Sequence, residues 1–342
     1  MARRTGARVS SPRAFYMGSS GRWAGEQMLA AMNAGKPFNA GVLRANGTLR
    51  HEEWKHFDNA LLGEALIRLQ GVQDLIGGGL TVNVPNSLGK TVFSYEKNTF
   101  MDEAIVSMDP VTRSENDGTE FDLSNLPLPI THKDFYLNLR TLSASRERGE
   151  PLDVTQTRMA GRTVAERTEK MLFQGHAPKF GGLTIYGYMT EPNRNVAVFG
   201  ANGNWATSNT AKTGENILAD VLTMIAALEA DRMYGPYWLY VPRNSNTKLD
   251  NDFKANSDLT IRQRLMMVDG LQKITGVDQL TDNNVILVQA TLDVAAMVLG
   301  ENLQTVQWDV EGGFRINFKA FQIAIPLIRS DIQGRSGVCH MS

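Results

Sequence analysis

The sequence predicts an α+β protein, and three features of the chain carry that prediction. A long amphipathic helical pattern covers residues 153–175. From Gly214 to Gly300 helical and strand patterns alternate, which is typical of a compact α/β region. A long β-rich run then extends from Val306 to Ile328. We therefore expect a long helix laid along a sheet, together with an α/β layer that has a core of its own.

The long helix, called the spine helix below, has signals at both ends. Asp153 can accept hydrogen bonds from the free amides of the first turn, and Gly175 can leave the helix through a left-handed conformation. The face expected to pack carries small and medium side chains at helical spacing: Thr157, Ala160, Gly161, Val164, Ala165, Thr168, Met171 and Leu172. The opposite face, expected to meet solvent, carries Arg158, Arg162, Glu166, Glu169 and Lys170. Because small side chains let another backbone come close, the helix should lie tightly on its support.

Length and charge bound the class of protein. The chain has 342 residues, enough for about two domains, and a formal net charge of −1. This balance argues against a protein that binds nucleic acid over its whole surface. The single cysteine, Cys339, excludes an internal disulfide framework and suits a reducing compartment. The sequence has neither an apolar run near the ~20 residues of a membrane span nor a recognisable secretory leader, so no membrane partner is expected.

The chain before the spine helix has little core material of its own. Residues 1 to about 50 form an arm that is either a solvated tail or a contact to a polyanion. Its first part is basic through Arg3, Arg4, Arg8, Arg13 and Arg22. A helical pattern over Glu52–Ile76 stops at three glycines, and two strand-like pieces, Leu80–Val84 and Thr91–Tyr95, predict a β-excursion or flap. An isolated two-stranded flap is marginal in water, so we expect something else to cover it.

Short elements follow on either side of the spine helix. Ile130–Leu142 alternates as a half-buried strand, Phe180–Met189 predicts a glycine-rich turn and strand, and Pro192–Ser208 predicts a loop. The expected elements of the α/β region are a helix over Glu215–Asp231, a strand over Tyr237–Val241, and further elements at Leu259–Val268, Val285–Gln289 and Leu292–Leu299.

The last part of the chain contains one irregularity. In the β-run that ends at Ile328 the apolar face changes parity at Ala320, which predicts a bulge or a break between paired strands. Ser330–Ser342 is expected to be an exposed tail.

The sequence offers no recognisable catalytic constellation. Leu88–Thr91 resembles the end of a phosphate-binding loop but lacks the earlier glycine and opens a strand. The histidines are scattered, and Cys339–His340 lies in the expected tail. Asp102, Glu103 and Asp109 fit a solvated acidic face better than a cation loop. We therefore predict no catalytic, cofactor-binding or metal-binding residues, no cofactor, and a protein that is not an enzyme.

Three stretches carry a resemblance to a known family. Leu126–Gly175 contains a strand, a short linker and a long helix that ends in Phe173-x-Gly175. Glu215–Val241 contains a helix, a glycine-proline-aromatic turn and a strand, and Leu287–Gly300 followed by Phe314–Ile328 has the form of a return into an earlier domain. In this combination the chain resembles the shell-protein fold shared by tailed-phage major capsid proteins and encapsulins. The resemblance covers nearly all of the chain after residue 50.

The resemblance implies a domain organisation. It consists of an N-terminal arm and helix (1–77), an extended β-loop (78–123), a peripheral domain in two parts (124–195 and 306–342) and an inserted axial domain (196–305). Some members of the fold cross-link a lysine of the extended loop to an asparagine of a neighbour. Lys90 and Lys97 lie in that loop here, but no asparagine or catalytic glutamate matches by motif, so this chemistry is not carried over.

The function implied by the resemblance is structural. We expect a major capsid protein that assembles with itself into hexamers and pentamers of an icosahedral shell around double-stranded DNA. Its expected location is the virion capsid, after assembly in the cytoplasm of the bacterial host. A portal protein, separate scaffolding and decoration proteins, and weak non-specific DNA contact are the other implied partners. An encapsulin shell around a protein cargo is the first alternative, and an α/β enzyme with an unrecognised site is the second.

Overall fold

A computed structural model describes residues 59–63, 69–98, 121–138, 155–255, 258–310 and 315–342, together with positions 108, 140, 143 and 144. Several predictions lie outside these residues. They are the arm before residue 50, most of the acidic run before Thr119, and Asp153 as the cap of the spine helix.

The described residues form helices and strands with the following bounds. The helices are α1 (Gln70–Gly77), α2 (Thr155–Gln174), α3 (Gly214–Ala230), α4 (Arg243–Asn246) and α5 (Ile261–Leu265). Short 3₁₀ turns occur at Ser87–Gly89 and Thr247–Asp250. The strands are β1 (Thr81–Asn83), β2 (Val92–Asn98), β3 (Phe121–Pro127), β4 (Thr131–Asn138), β5 (His176–Phe180), β6 (Leu183–Ile185), β7 (Asn195–Ala197), β8 (Tyr237–Pro242), β9 (Leu271–Val277), β10 (Val285–Gln289), β11 (Ala295–Val310), β12 (Arg315–Ile328) and β13 (Val338–Met341).

Two larger sheets organise these elements. One has four strands in the order β1-β11-β12-β4, and α2, the spine helix, packs along β12 and β4. The other has five strands in the order β7-β13-β10-β8-β9 and packs against α3. Strand β8 is buried along its whole length because Leu239 and Val241 face the α3 core, whereas Trp238 and Tyr240 face a second core that includes the end of the spine helix. The five-stranded sheet therefore lies between two cores, and through the second core the α/β region packs against the spine helix.

The predicted spine helix is confirmed from Thr155 to Gln174, with Gly175 at φ +72° as its exit. All eight side chains of the predicted packing face are buried. The closest approach is at Gly161, where an added Cβ would stand 2.7 Å from the carbonyl oxygen of Leu61. Leu61 belongs to the helical stretch 59–63, so the small side chain at this position sets how closely that stretch can lie against the spine.

The prediction that Glu169 faces solvent is wrong. Its side chain is 1% exposed, and its carboxylate accepts hydrogen bonds from the backbone amides of Gly71 (2.6 Å) and Val72 (3.1 Å). These amides belong to the first turn of α1, which lacks intrahelical partners for them. Burial raises the pKa of Glu169 to about 7, against the opposing effect of the two amide hydrogen bonds. A charged residue of the spine helix thus serves as the N-terminal cap of another helix, a role that helical periodicity cannot reveal.

The predicted final β-run is two antiparallel strands and not one. β11 pairs with β12 along most of its length, and residues 311–314, which lie outside the described part, connect them. The irregularity predicted at Ala320 exists, but the bulges lie on the partner strand, between Leu299 and Gln304. From Ala320 to Ile328 every residue of β12 is buried. The change of parity therefore marks the point where both faces of β12 become covered.

Two further predictions about strands are wrong. The chain end is not an exposed tail, since Val338–Met341 is a buried strand between β10 and β7 in the five-stranded sheet. The predicted loop Pro192–Ser208 contains β7, which pairs in parallel with that strand. Both strands are short, and each is formed by pairing with residues far away in the sequence.

The β-excursion also differs from the prediction. β1 does not pair with β2 but lies parallel to β11 in the four-stranded sheet. β2 instead pairs with β3, from Val92 opposite Pro127 to Asn98 opposite Phe121. This β2–β3 hairpin crosses the expected boundary at residue 123, and β11 likewise runs across the expected boundary at residue 305.

The α/β region follows the prediction more closely. The helix over 214–230, the strand that ends at Pro242 and the strand Val285–Gln289 lie where the sequence placed them. The predicted element at Leu259–Val268 is the short helix α5, and the one at Leu292–Leu299 is the beginning of β11.

Gly161→Ala should destabilise the subunit, because its Cβ would collide with a backbone carbonyl that side-chain rotation cannot move. We expect a loss of about 1–3 kcal/mol in the free energy of unfolding, measured by denaturant titration. Gly63→Ala is the matched control: Gly63 is helical and its Cβ would meet nothing within 4 Å. The control should be neutral or slightly stabilising. Equal effects of the two substitutions would contradict the close approach at Gly161.

Glu169→Gln should change how stability depends on pH. The folded pKa of Glu169, about 7, lies above its ordinary value of 4.5, so its contribution is complete below pH 4.5 and is lost as the pH rises through 7. The difference in unfolding free energy between the wild type and Glu169→Gln should therefore fall by up to about 3 kcal/mol between pH 4.5 and pH 8. Glu166→Gln, which removes a surface carboxylate that pairs with Arg162 at 2.7 Å, is the control and should show no fall of this size. A constant difference for Glu169→Gln as well would refute the raised pKa.

Candidate functional site

The β2–β3 hairpin is a two-stranded sheet that is separate from both larger sheets. One of its faces packs on the body of the subunit, where Phe93 and Leu126 join a core cluster with residues of β11 and β12. The opposite face points away, and its Leu123 is 61% exposed. Successive residues of a strand alternate between faces, so the hairpin has one face covered by its own subunit and one face left for another surface.

Buried polar groups hold the hairpin to the body. The Ser330 hydroxyl accepts from Lys97 Nζ (3.4 Å) and from Asn193 Nδ2 (3.0 Å), and it lies 3.4 Å from Glu191 Oε1, to which it donates. Next to them the guanidinium of Arg329 stands 5.6 Å from the ring centre of Tyr95. These contacts join β2 to residues more than 90 positions further along the chain.

The electrostatics of this contact follow from its burial. Glu191 is 5% exposed, and burial raises the pKa of its carboxyl, although the positive charge of Lys97 acts in the opposite direction. A cavity of about 190 Å³ lies beside Lys97 and Glu191 and extends to Pro326 and Leu327 of β12. The contact can therefore position the hairpin, and its strength depends on the charge of one partly desolvated carboxyl group.

The sequence analysis placed Lys97 in the extended loop but did not predict this contact. Lys97 is half-buried against the body, whereas Lys90 is exposed. Ser330 had been assigned to an exposed tail, and Glu191 lies in a turn without periodicity. One weak sequence signal could have suggested the site. Ser330 is a polar residue two positions after Ile328, the last residue of the apolar run of β12.

A second cluster of buried charge lies in the α/β region. Lys212 Nζ stands 2.7 Å from Asp220 Oδ2, and both side chains are almost completely buried. The same carboxylate accepts from the Trp205 indole nitrogen (2.7 Å) and from the Gly200 amide (3.1 Å). Asp220 lies on α3, so this network fastens the loop before α3 to the helix. Each charge has a close partner, which is the condition for burying it.

This network borders a pocket of about 480 Å³ near the start of α3. Lys248 also lines the pocket, and its ammonium group donates to the backbone oxygens of Asn209 and Ala206. Burial, and then the positive charge of Lys212, lower the pKa of Lys248. Lys212 also donates to the backbone oxygen of Ala201, so both lysines hold the loop before α3 in place.

Cys339 and His340 do not form a nucleophile and base. They are neighbours on the buried strand β13, so their side chains point to opposite faces of the sheet. Burial raises the pKa of the Cys339 thiol to about 12 and lowers the pKa of His340 to about 4, so at neutral pH both are uncharged. His340 Nε2 pairs with Asn284 Oδ1 at 2.7 Å. Both side chains act in packing.

Two absences apply to the described part of the chain. His, Cys, Asp and Glu side chains do not gather there in groups of three or more that could hold a metal ion. None of the helices there combines the length and the apolar composition that a membrane crossing requires. His51 and His56 lie outside this part.

Comparisons with known proteins identify the fold. The profile of a family of unknown function, DUF6260, matches residues 42–341. The virus-like particle from Pyrococcus furiosus superposes with a TM-score of 0.63 at 15% identity, covering 85% of this chain and 100% of that one. The capsid of Myoviridae phage XM1 gives a TM-score of 0.59 at 12% identity, covering 77% and 89%. The chain thus has the fold shared by tailed-phage capsid proteins and encapsulins, which confirms the predicted fold class.

A curated relative matches part of the sequence. The type 1 encapsulin shell protein EncA of Myxococcus xanthus (strain DK1622) is 28% identical over 151 residues, which is 43% of this chain. The chain spans about half the length of this relative.

Proposed function

We propose a structural function for this chain, which belongs to the DUF6260 family of unknown function: copies of it assemble into hexamers and pentamers of a closed icosahedral shell. The observation that carries the proposal is the fold, which is shared with a virus-like-particle chain along the whole length of that chain. In a closed shell, each subunit contacts its neighbours through two different surfaces, and the series of contacts closes into rings. A subunit with a segment that its own core covers on one face only can use the other face for such a contact. Under this proposal the chain is not an enzyme and needs no cofactor.

The proposal gives each segment a place in the shell. The arm and helix comprise 1–77, and the extended loop (78–123) lies on a neighbouring subunit. The peripheral domain comprises 124–195 and 306–342, and the axial domain (196–305) lies near the centres of the capsomers. The outward face of the β2–β3 hairpin, with Leu123 exposed, supports the assignment of the extended loop. The buried strand β13 adds the end of the chain to the sheet of the axial segment.

For the contents of the shell we propose double-stranded DNA, as in a tailed-phage capsid. A portal protein and separate scaffolding and decoration proteins would then be partners, with assembly in the cytoplasm of the bacterial host and a final location in the virion. An encapsulin is the second candidate, because the curated relative that matches this sequence is an encapsulin shell protein. The two candidates share the subunit and differ in what the shell encloses.

The purified full chain, expressed alone, should form closed particles, free capsomers, tubes or sheets. Electron microscopy with light scattering over a range of protein and salt concentrations would detect them. A chain that stays monomeric throughout this range would contradict assembly by the chain alone and would restrict the proposal to assembly with a scaffolding protein. Nuclease-resistant DNA in particles from the native source would then support the capsid, and an enclosed protein in place of DNA would support the encapsulin.

Shortening the extended loop should separate folding from assembly. Asn98 and Phe121 are directly paired, so a two-residue Asn-Gly turn can replace residues 99–120 without disturbing the register of the hairpin. The free energy of unfolding of the subunit should change by less than about 1 kcal/mol, since the packed face of the hairpin is kept. Closed particles should be lost, as judged by electron microscopy.

A second variant shows whether sequence or length matters in this loop. It replaces residues 99–120 with a flexible Gly/Ser segment of equal length. If the loop makes specific contacts with a neighbour, this variant should also fail to close. Particles of normal size from the shortened variant would contradict the role of the loop.

A further inference from the structure

The charge of the chain is unevenly distributed. Residues 155–190 contain five Lys and Arg but two Asp and Glu, although the whole chain has a net charge of −1. One of the two acids, Glu169, is buried and engaged with the amides of α1. The other, Glu166, is paired with Arg162 at 2.7 Å. This segment therefore presents a local excess of positive charge to solvent.

The cations lie along one side of the spine helix. The side chains of its packed face are buried, whereas Arg158, Arg162 and Lys170 are exposed on the opposite side. Arg158 and Lys170 are twelve residues apart, which corresponds to about 18 Å along a helix. Glu166 lies in the same row, between Arg162 and Lys170, and pairs with Arg162, so the row carries a net positive charge with one acid in it. A row of this length faces about ten phosphate charges of a DNA duplex, counting both strands.

The β5–β6 hairpin extends the positive line beyond the end of the helix. Arg167, half-buried, contacts the ring nitrogen of His176 on β5, and the ring of Phe180 stacks on that histidine at 5.2 Å. Burial, and then the charge of Arg167, lower the pKa of His176, so the imidazole is neutral and can accept from the guanidinium. Lys179 is exposed on the same strand. Arg167 is thus oriented where the helix face and the hairpin meet.

We propose that this surface binds the phosphate backbone of double-stranded DNA. The surface, called the spine face below, consists of Arg158, Arg162, Arg167, Lys170 and Lys179. Guanidinium and ammonium groups in a line suit regularly spaced phosphates, and binding gains free energy from the counterions that leave the DNA. The inference rests on the proposed function in one respect: in a closed shell the spine face would have to point towards the enclosed genome.

The contact would not read the DNA sequence. Phosphates carry no base information, and the spine face consists of Arg and Lys side chains, which bind phosphates by charge and hydrogen bonding. Binding should therefore be independent of sequence and strongly dependent on salt. Such a contact suits a surface that must hold a long duplex without fixing it in one register.

The test compares two variants of the full chain with equal changes of charge. Arg158→Gln/Arg162→Gln/Lys170→Gln neutralises the spine face with a residue of similar helix propensity. The control, Lys90→Gln/Arg243→Gln/Lys254→Gln, removes three exposed cations elsewhere on the subunit. Binding of a fluorescein-labelled duplex of random sequence is followed by anisotropy from 50 to 200 mM salt, at protein concentrations where light scattering shows unassembled subunits. If the protein assembles at every concentration, nuclease-resistant DNA per subunit is compared instead.

The spine-face variant should bind DNA at least tenfold more weakly at 50 mM salt. The plot of the logarithm of its association constant against the logarithm of salt concentration should become less steep by about 2.7, which is three phosphate contacts at about 0.9 each. The control should bind like the wild type. An unchanged affinity and slope, or equal losses in both variants, would overturn the proposal. Binding of poly-glutamate as tight as that of DNA would also overturn it, in favour of an acidic protein. Electron microscopy of the same samples reports shell formation separately, so a failure of assembly is distinguishable from a failure of DNA binding.

Discussion

The close packing of the spine helix is the constraint on which the rest of the fold depends. One side of this helix carries only small and medium side chains along the stretch that crosses β12 and β4, and at Gly161 the neighbouring backbone comes within contact distance. At its C-terminal end Phe173 packs edge-on against Tyr188 and Tyr240, which brings the helix into the core shared with the five-stranded sheet. One helix thus fixes the positions of both sheets relative to each other.

Buried polar contacts also hold segments of the subunit in place. Glu169 on the spine helix caps α1, Asp220 on α3 holds the loop before it, and Ser330 joins the hairpin to the body. Each of these contacts links segments that are remote in sequence or lack a hydrophobic face of their own. Because an unpaired buried polar group is costly, such contacts favour one arrangement of the segments over others.

The same architecture leaves two surfaces whose chemistry differs. The outer face of the β2–β3 hairpin is free of its own core and exposes Leu123, as expected of a segment that lies on another subunit. The spine face presents cations along a rigid helix. In a shell, contact between subunits and contact with the contents would then be separated onto different parts of one chain, and each could change without disturbing the other.

The sequence by itself determined the elements whose evidence is local. The spine helix, its exit at Gly175 and the helix over 214–230 follow from periodicity and end signals, and the order of elements identified the fold. Only the tertiary structure decided which strands pair, that Glu169 is buried, and that Val338–Met341 is a central strand. The physical reason is that strand pairing and the burial of a single polar group depend on partners far along the chain, which a local pattern of hydrophobic residues does not encode.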